Sequence, residues 1–404
     1  MNSSNNLGKN VFYNTFGTFF YFFCQWLITV LVVRLSGYKD AGVLSLVIST
    51  TNIFYCIGLF GVRNYQISDV SKKHDDSEYF FSRIITVLLS IIIFSISLGF
   101  LGFDTVTLTC SIAYMIFKCG EAFSDLYFGI FQRYNTYKQI AISYSLKGIL
   151  TVTTFAGTLF LTKSLLLAII VNVIVYLGVL IFYDIPSTNK VTSIKFKKYK
   201  IKKILTNCFP LMLYGLMVPY LNFITRYAVE KSYGTEILGY YSSITMVFVI
   251  MSTLMGSVFV SIIPKISSYY FNNDFTSIKK LIKNLIIIIF IIAISACLGG
   301  FLLGDFAFSL VFGKDILSYM YLLIPTIVSS ICLTYASLFS SILISINQNK
   351  KVLYGNLISV ILCTFTVFLF INKFELLGSL YSLTISLIVS SIVLFMYIFK
   401  ILSN

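Results

Sequence analysis

Lys118, Glu121 and Asp125 stand three and four residues apart inside one long apolar segment. At about 100° per residue they share one face of a helix. A charge at mid-bilayer costs about 2.5–3.5 kcal/mol on insertion scales, so three on one face must meet a cavity or one another. Lys118 can pair with Glu121 within the helix, as a purely structural bridge. Glu121 and Asp125 can instead relay a proton or cation, or Lys118 can hold an anion together with Lys147 of the next apolar segment. Lys147 is also the expected partner for Asp125, which the Lys118–Glu121 bridge leaves unpaired. Carboxylates inside a span are functional candidates by default, and the residues alone leave these roles open.

Other polar groups line up in the same way. Asn14, Thr18, Tyr21, Gln25 and Thr29 fall within about 80° of arc on the first apolar segment. Ser45, Ser49, Asn52 and Cys56 form a similar stripe on the second. Hydrogen bonds between helices explain such stripes in any bundle; Asn and Gln at several depths favour a water-filled lumen for the first. The seventh segment carries Pro210 and Pro219, with Asn222 and Arg226 on the Pro219 face. An interior proline removes a backbone bond and bends a helix, so this segment reads as a movable gate or a static kink. Arg226 can also snorkel to the interface. The eight cysteines lie almost wholly inside apolar segments without CxxC spacing, which points to packing and to no metal, disulfide or catalytic role. His74, beside Lys73 and Asp75, reads as a solvated surface residue. Gly313-Lys314 is followed by Asp315 and lacks the spacing of a phosphate loop.

The elements that must position these residues are set by composition. Of 404 residues, 58% are hydrophobic and 11% charged. A soluble chain carries about 25% charged residues. The composition therefore excludes a soluble enzyme, a disulfide-stapled secreted module and a disordered scaffold. Apolar stretches fall at roughly 10–33, 41–61, 84–102, 106–131, 139–161 and 164–183. The second half gives roughly 205–225, 237–262, 284–303, 316–346, 352–371 and 376–399. Each is near the spanning length of about 20 residues. Backbone groups in lipid must be satisfied within a segment, so these are helices. The first is too long for a signal-peptide core and no small-residue cleavage site follows it, so it is expected to persist as a helix. With both termini in the cytoplasm, 21 of the 30 Lys and Arg fall on the inside. The net charge of +15 is thereby assigned to orientation and to anionic lipid headgroups, with no need for nucleic acid.

The two halves match beyond helix count. Arg34 precedes Gly37, Asp40 and Gly42, and Arg226 precedes Gly234, Glu236 and Gly239, with both glycine pairs five residues apart. Basic loops recur at about 63–83 and 264–283, and Gln132-Arg133 corresponds to Gln348-Asn349-Lys350. Six helices separate each pair, which predicts a parallel repeat. The expected fold is an all-α integral membrane protein of about twelve helices. It comprises an N-terminal lobe (1–185), a basic cytoplasmic linker (186–204) and a C-terminal lobe (205–404).

Several stretches then resemble a known family: Lys9-Asn10 with Gln25, Gly37-Tyr38-Lys39-Asp40-Ala41-Gly42, and Gly58-Leu59-Phe60-Gly61-Val62-Arg63-Asn64-Tyr65. Asp125-Leu126-Tyr127-Phe128-Gly129-Ile130-Phe131-Gln132, Phe209-Pro210 and Phe259-Val260-Ser261-Ile262-Ile263-Pro264 continue the likeness over nearly the whole chain. The chain resembles a Wzx-type polysaccharide flippase of the multidrug/oligosaccharidyl-lipid/polysaccharide (MOP) superfamily. The resemblance implies a MATE-like fold in the bacterial cytoplasmic membrane. It also implies movement of glycans linked to undecaprenyl pyrophosphate between leaflets, for O-antigen or capsule assembly, by alternating access. A polymerase and chain-length machinery are the implied protein partners. Under that reading Arg34, Lys118, Lys147 and Arg226, with Asn14, Gln25 and Asn222, are the candidates to hold the cargo. Glu121 and Asp125 are the candidates for coupling to Na⁺ or H⁺, and Pro210 and Pro219 for gating. A MATE-type drug exporter would share the architecture but favour acids in its lumen. A membrane glycan polymerase would present a large outer loop, whereas the longest here spans about a dozen residues (304–315).

Overall fold

The structure, a computed structural model, describes residues 2–69, 73–195 and 201–403. Side chains are described for all of these except 2–9, 11, 253, 254, 256–258, 260, 261, 264 and 403. Lys72 and the middle of the basic linker (196–200) lie outside the described residues, as do the side chains of Lys9, Val260, Ser261 and Pro264.

Among the described residues every regular element is helical. The chain runs through α1 (Asn2–Ser36), α2 (Tyr38–Leu59), α3 (Val62–Ser68), α4 (Asp76–Leu101), α5 (Thr105–Arg133), α6 (Tyr137–Thr162) and α7 (Leu165–Val179). A π-helical turn, Leu180–Asp184, leads into the short α8 (Ile185–Asn189). Then come α9 (Lys202–Phe271), α10 (Phe275–Phe312), a 3₁₀ stretch (Lys314–Leu322), α11 (Leu323–Ser345) and α12 (Asn349–Ser403).

Among the described residues ten helices are long and apolar enough to cross a bilayer, against the twelve segments expected. Two of the ten account for the difference. These are α9 (Lys202–Phe271, 70 residues) and α12 (Asn349–Ser403, 55 residues). At about 1.5 Å per residue each exceeds twice the roughly 30 Å hydrocarbon thickness. Both are broken inside: at Gly234 (φ 83°, ψ 175°) and at Phe374-Glu375, where Glu375 takes φ 54° and ψ −140°. These breaks lie in the gaps expected between the seventh and eighth and the eleventh and twelfth segments. Pro210 and Pro219, expected to bend α9, keep helical dihedrals. Proline's fixed φ is itself helical, and the departure from helical dihedrals within α9 falls at Gly234, where glycine takes a positive φ.

Gly37, at the α1–α2 turn, has φ 91° and ψ 177°, nearly the dihedrals of Gly234. That region of backbone space belongs essentially to glycine. The turns paired by sequence thus share one backbone geometry.

Two compact units divide at Met1–Pro219 and Tyr220–Asn404, so the first turns of α9 count with the N-terminal helices and not with the second lobe. Within the first unit α1 lies on α6 and α2, and α5 contacts α2, α4 and α7. Within the second, α11 packs on α10 and α12. Helix α4 shows why such helices hold together in lipid. Leu88, Ile92, Ile96 and Phe100 point outward, while Arg83, Thr86, Ser90 and Phe94 are buried on the opposite face. Hydrocarbon solvates the apolar face, so polar groups turn inward and are satisfied by other helices.

Candidate functional site

Among the described residues, three ionic clusters sit within the spans of the N-terminal unit, two with charged groups on α5 and a third that α5 reaches through Ser124. In the first, Lys118 bonds Glu121 at 2.6 Å, the i,i+3 bridge expected from the sequence. Tyr21 of α1 donates to the other Glu121 oxygen at 2.6 Å. The Lys118 ammonium also lies 4.9 Å from the Tyr55 ring centroid, 5.5 Å from Tyr114 and 5.8 Å from Phe117. Aromatic faces carry negative quadrupole density, so this cage replaces lost hydration of the ammonium. Tyr21 thereby joins the α1 stripe to α5 by a bond between helices.

In the second cluster Asp125 is held by two arginines, neither of which is Lys147. Arg63 Nη1 donates to Oδ1 at 3.0 Å and Arg83 Nη2 to Oδ2 at 2.9 Å. Arg83 is fully buried, and its Nη1 donates to the Gly58 carbonyl at 2.7 Å, where Thr86 Oγ1 also donates. That carbonyl belongs to the last turn of α2 and has no partner within its own helix. Arg63 follows the turn Phe60-Gly61, both residues left-handed (φ 51° and 69°), which redirects the chain from α2 into α3. Its Nε donates to Gln132 Oε1 at 3.2 Å, and Gln132 Nε2 to Asn14 Oδ1 at 3.3 Å. A recess of about 270 Å³ opens beside this cluster, lined by Arg63, Asn64, Asp125 and Gln132 and flanked by Leu59 and Ile67.

The third cluster takes Lys147 out of the expected role. Its ammonium bonds Asp184 Oδ2 and Ser124 Oγ, each at 2.5 Å, and Ser143 donates to Asp184 Oδ1 at 2.6 Å. Both charged side chains are fully buried, and the Tyr176 ring centroid is 4.5 Å from the ammonium. The π-helical turn Leu180–Asp184 places Asp184 here. Such widened turns occur mostly where function or packing needs an extra residue. Sequence reading missed Asp184, Arg63 and Arg83 as partners. The two arginines read as orienting charges on the cytoplasmic side, and Asp184 was given no role.

The other expected site residues fall apart from these clusters. Arg34 is exposed in the last turn of α1. Gln25 Nε2 is buried without a hydrogen bond. Arg226 does not snorkel: it is 8% exposed and donates to Asn222 Oδ1 at 2.9 Å. Both border a space of about 10 Å³ with Thr225, Tyr241, Thr245 and Thr326, room for a single water. Pro210 is exposed and Pro219 half-buried on α9.

Outside the spans, Arg133 closes the loop between α3 and α4. It bonds Asp76 at 2.9 Å, Asp69 at 3.4 Å and the His74 carbonyl at 3.0 Å. Burial works against ionisation of Asp69. The backbone amides of Lys73 and His74, the Tyr79 hydroxyl and Arg133 outweigh it and hold the carboxyl below its ordinary range. His74, expected in solvent, bonds Glu78 at 2.7 Å and packs near Tyr65 and Tyr79.

Comparison with known proteins places this geometry. Over 385 residues the chain is 25% identical to the capsular polysaccharide biosynthesis protein CapF of Staphylococcus aureus, covering 93% of this chain and 95% of that one. Among solved structures it resembles an inward-facing multidrug resistance MATE family transporter of the MOP superfamily, with TM-score 0.75, 14% identity and 94% of each chain covered. A mutant of the Vibrio cholerae MATE transporter VcmN aligns with TM-score 0.68 and 14% identity, over 99% of this chain and 97% of that one. A MOP superfamily transporter from Pyrococcus furiosus, reported to have a binding pocket of reversed polarity, aligns with TM-score 0.65 and 13% identity, over 98% of this chain and 95% of that one. Residues 7–270 match the family described as polysaccharide biosynthesis protein, and this multi-pass membrane chain, with the fold of MOP transporters, belongs to that family.

Proposed function

We propose that the chain is a flippase that moves polyprenyl-diphosphate-linked oligosaccharide repeat units across the bacterial cytoplasmic membrane for surface polysaccharide assembly, by alternating access. The observation that carries this reading is the charge balance of the three clusters. Arg63, Arg83, Lys118 and Lys147 face Glu121, Asp125 and Asp184, four cations against three carboxylates. A positive surplus among membrane-embedded residues suits an anionic cargo, whose phosphates take charge-assisted hydrogen bonds. An exporter of cations would gain from the opposite surplus. The likeness to CapF, named for capsular polysaccharide biosynthesis, supports the glycan. No catalytic residue is required, since translocation breaks no bond.

A deletion strain tests this reading. Surface polymer is expected to fall while lipid-linked oligosaccharide accumulates on the cytoplasmic leaflet. Oligosaccharide reaching the outer leaflet without polymer would identify a polymerase. Intact polymer with new sensitivity to cationic drugs would identify the MATE-type exporter, the reading that the fold alone supports equally well.

A further inference from the structure

Asp125 shares its two oxygens between unequal arginines. Arg83 is fully buried and pinned by the Gly58 carbonyl, so it stays with Asp125. Arg63 is 21% exposed and lines the recess. If Arg63 turns away, Asp125 keeps a bonded cation and no buried charge is stranded; stranding one is the costly outcome for a buried ion pair. A guanidinium binds a phosphate with the same fork geometry as a carboxylate. The Asp125 carboxylate therefore occupies the position on Arg63 that an incoming oxyanion would take. Gln132, already bonded to Arg63 Nε, and Asn64 add polar groups to the same wall. At about 270 Å³ the recess exceeds the roughly 30 Å³ that one water takes in the liquid by enough to admit a diphosphate.

We propose that this recess is a phosphate- or diphosphate-binding site with a built-in competitor: Asp125 holds Arg63 while the site is empty, and Arg83 keeps Asp125 when Arg63 turns to the anion. The site rests on the flippase reading only in naming the cargo's headgroup as its occupant. Asp125 then acts in the opposite sense to an ordinary ligand, because its removal strengthens binding.

Purified full-length protein in phosphatidylcholine nanodiscs tests this with two probes, inorganic pyrophosphate and farnesyl diphosphate. Asp125→Asn is expected to bind about tenfold tighter than wild type, the size of one charge-assisted bond no longer competed for. Arg63→Gln, which leaves the Arg83–Asp125 pair in place, is expected to bind at least about tenfold more weakly. Both effects should shrink at high salt. Binding of both probes would mean that the anion suffices, and binding of farnesyl diphosphate alone that the source is a membrane lipid; either supports the site. Unchanged or weaker binding by a monodisperse Asp125→Asn protein overturns the proposal, as does wild-type affinity in Arg63→Gln. Should Asp125→Asn not fold, the Arg63→Gln result decides. Wild-type affinity in Arg63→Gln, beside lipid-linked oligosaccharide trapped in the deletion strain, overturns this site and leaves the flippase reading standing. Binding that persists after the deletion strain has ruled out a flippase leaves an anion site on a different transporter.

Discussion

Both units satisfy hydroxyls along their own helices, but they join helices through polar groups of different kinds. In the N-terminal unit, ionic groups join helices far apart in sequence: Arg63 and Arg83 to Asp125, Lys147 to Asp184, Tyr21 to Glu121. In the C-terminal unit, hydroxyls largely bond back along their own helix. Thr326, Ser330 and Thr334 each donate to the carbonyl four residues earlier on α11 or the turn before it, as Ser386 does on α12. Bonds across helices, such as Asn356 to Ser340 and Ser329 with Thr384, are neutral. A hydroxyl satisfied by its own helix loses nothing when a neighbour slides, whereas a buried ion pair fixes both partners. These bonds between helices are thus ionic in the first unit and neutral in the second.

Breaking a charge pair should have the largest effect. Lys147→Met strands Asp184 in a fully buried site and is expected to destabilise by about 3–5 kcal/mol. Thermal unfolding in detergent and membrane abundance report it. The double variant Lys147→Met with Asp184→Leu should recover most of the loss, and failure to do so would show that the pair supplies more than mutual neutralisation. The glycine turns come next. Gly37→Ala and Gly234→Ala meet nothing within 4 Å, so each should cost only backbone strain, about 1–3 kcal/mol. Equal costs would extend the likeness of these turns to energetics, and unequal costs would confine it to geometry. The smallest effect belongs to the hydroxyls: Thr334→Ala or Ser386→Ala should cost under about 1 kcal/mol. A loss as large as that of Lys147→Met would remove the contrast between the units.

Local periodicity made much of this legible. Lys118–Glu121 is an i,i+3 pair and could be read from one helix, as could the inward polar stripe of α1. The partners of Asp125 could not. Arg63 and Arg83 lie 62 and 42 residues from it, and a basic residue near a segment end satisfies the orientation rule whether or not it is also buried. Lys147 was read as the partner because it was the nearest cation inside a span, while the π-turn that brings Asp184 to it has no simple periodic signature. The expected breaks in α9 and α12 were readable because charge and glycine interrupt the apolar run. At both positions the backbone leaves helical geometry for only one or two residues, so each pair of expected segments runs on as one long, broken helix.

The order of the charges along the chain bears on how the protein is made. Arg83 leaves the ribosome 42 residues ahead of Asp125, and Lys147 is 37 ahead of Asp184. At about 5–20 residues per second each cation waits roughly 2–8 s for its acid. During that interval α4 and α6 carry a lone charge that hydrocarbon rejects. Until its partner arrives, each lone charge makes its helix about 2.5–3.5 kcal/mol harder to insert, so pairing favours joint entry of these helices into the bilayer.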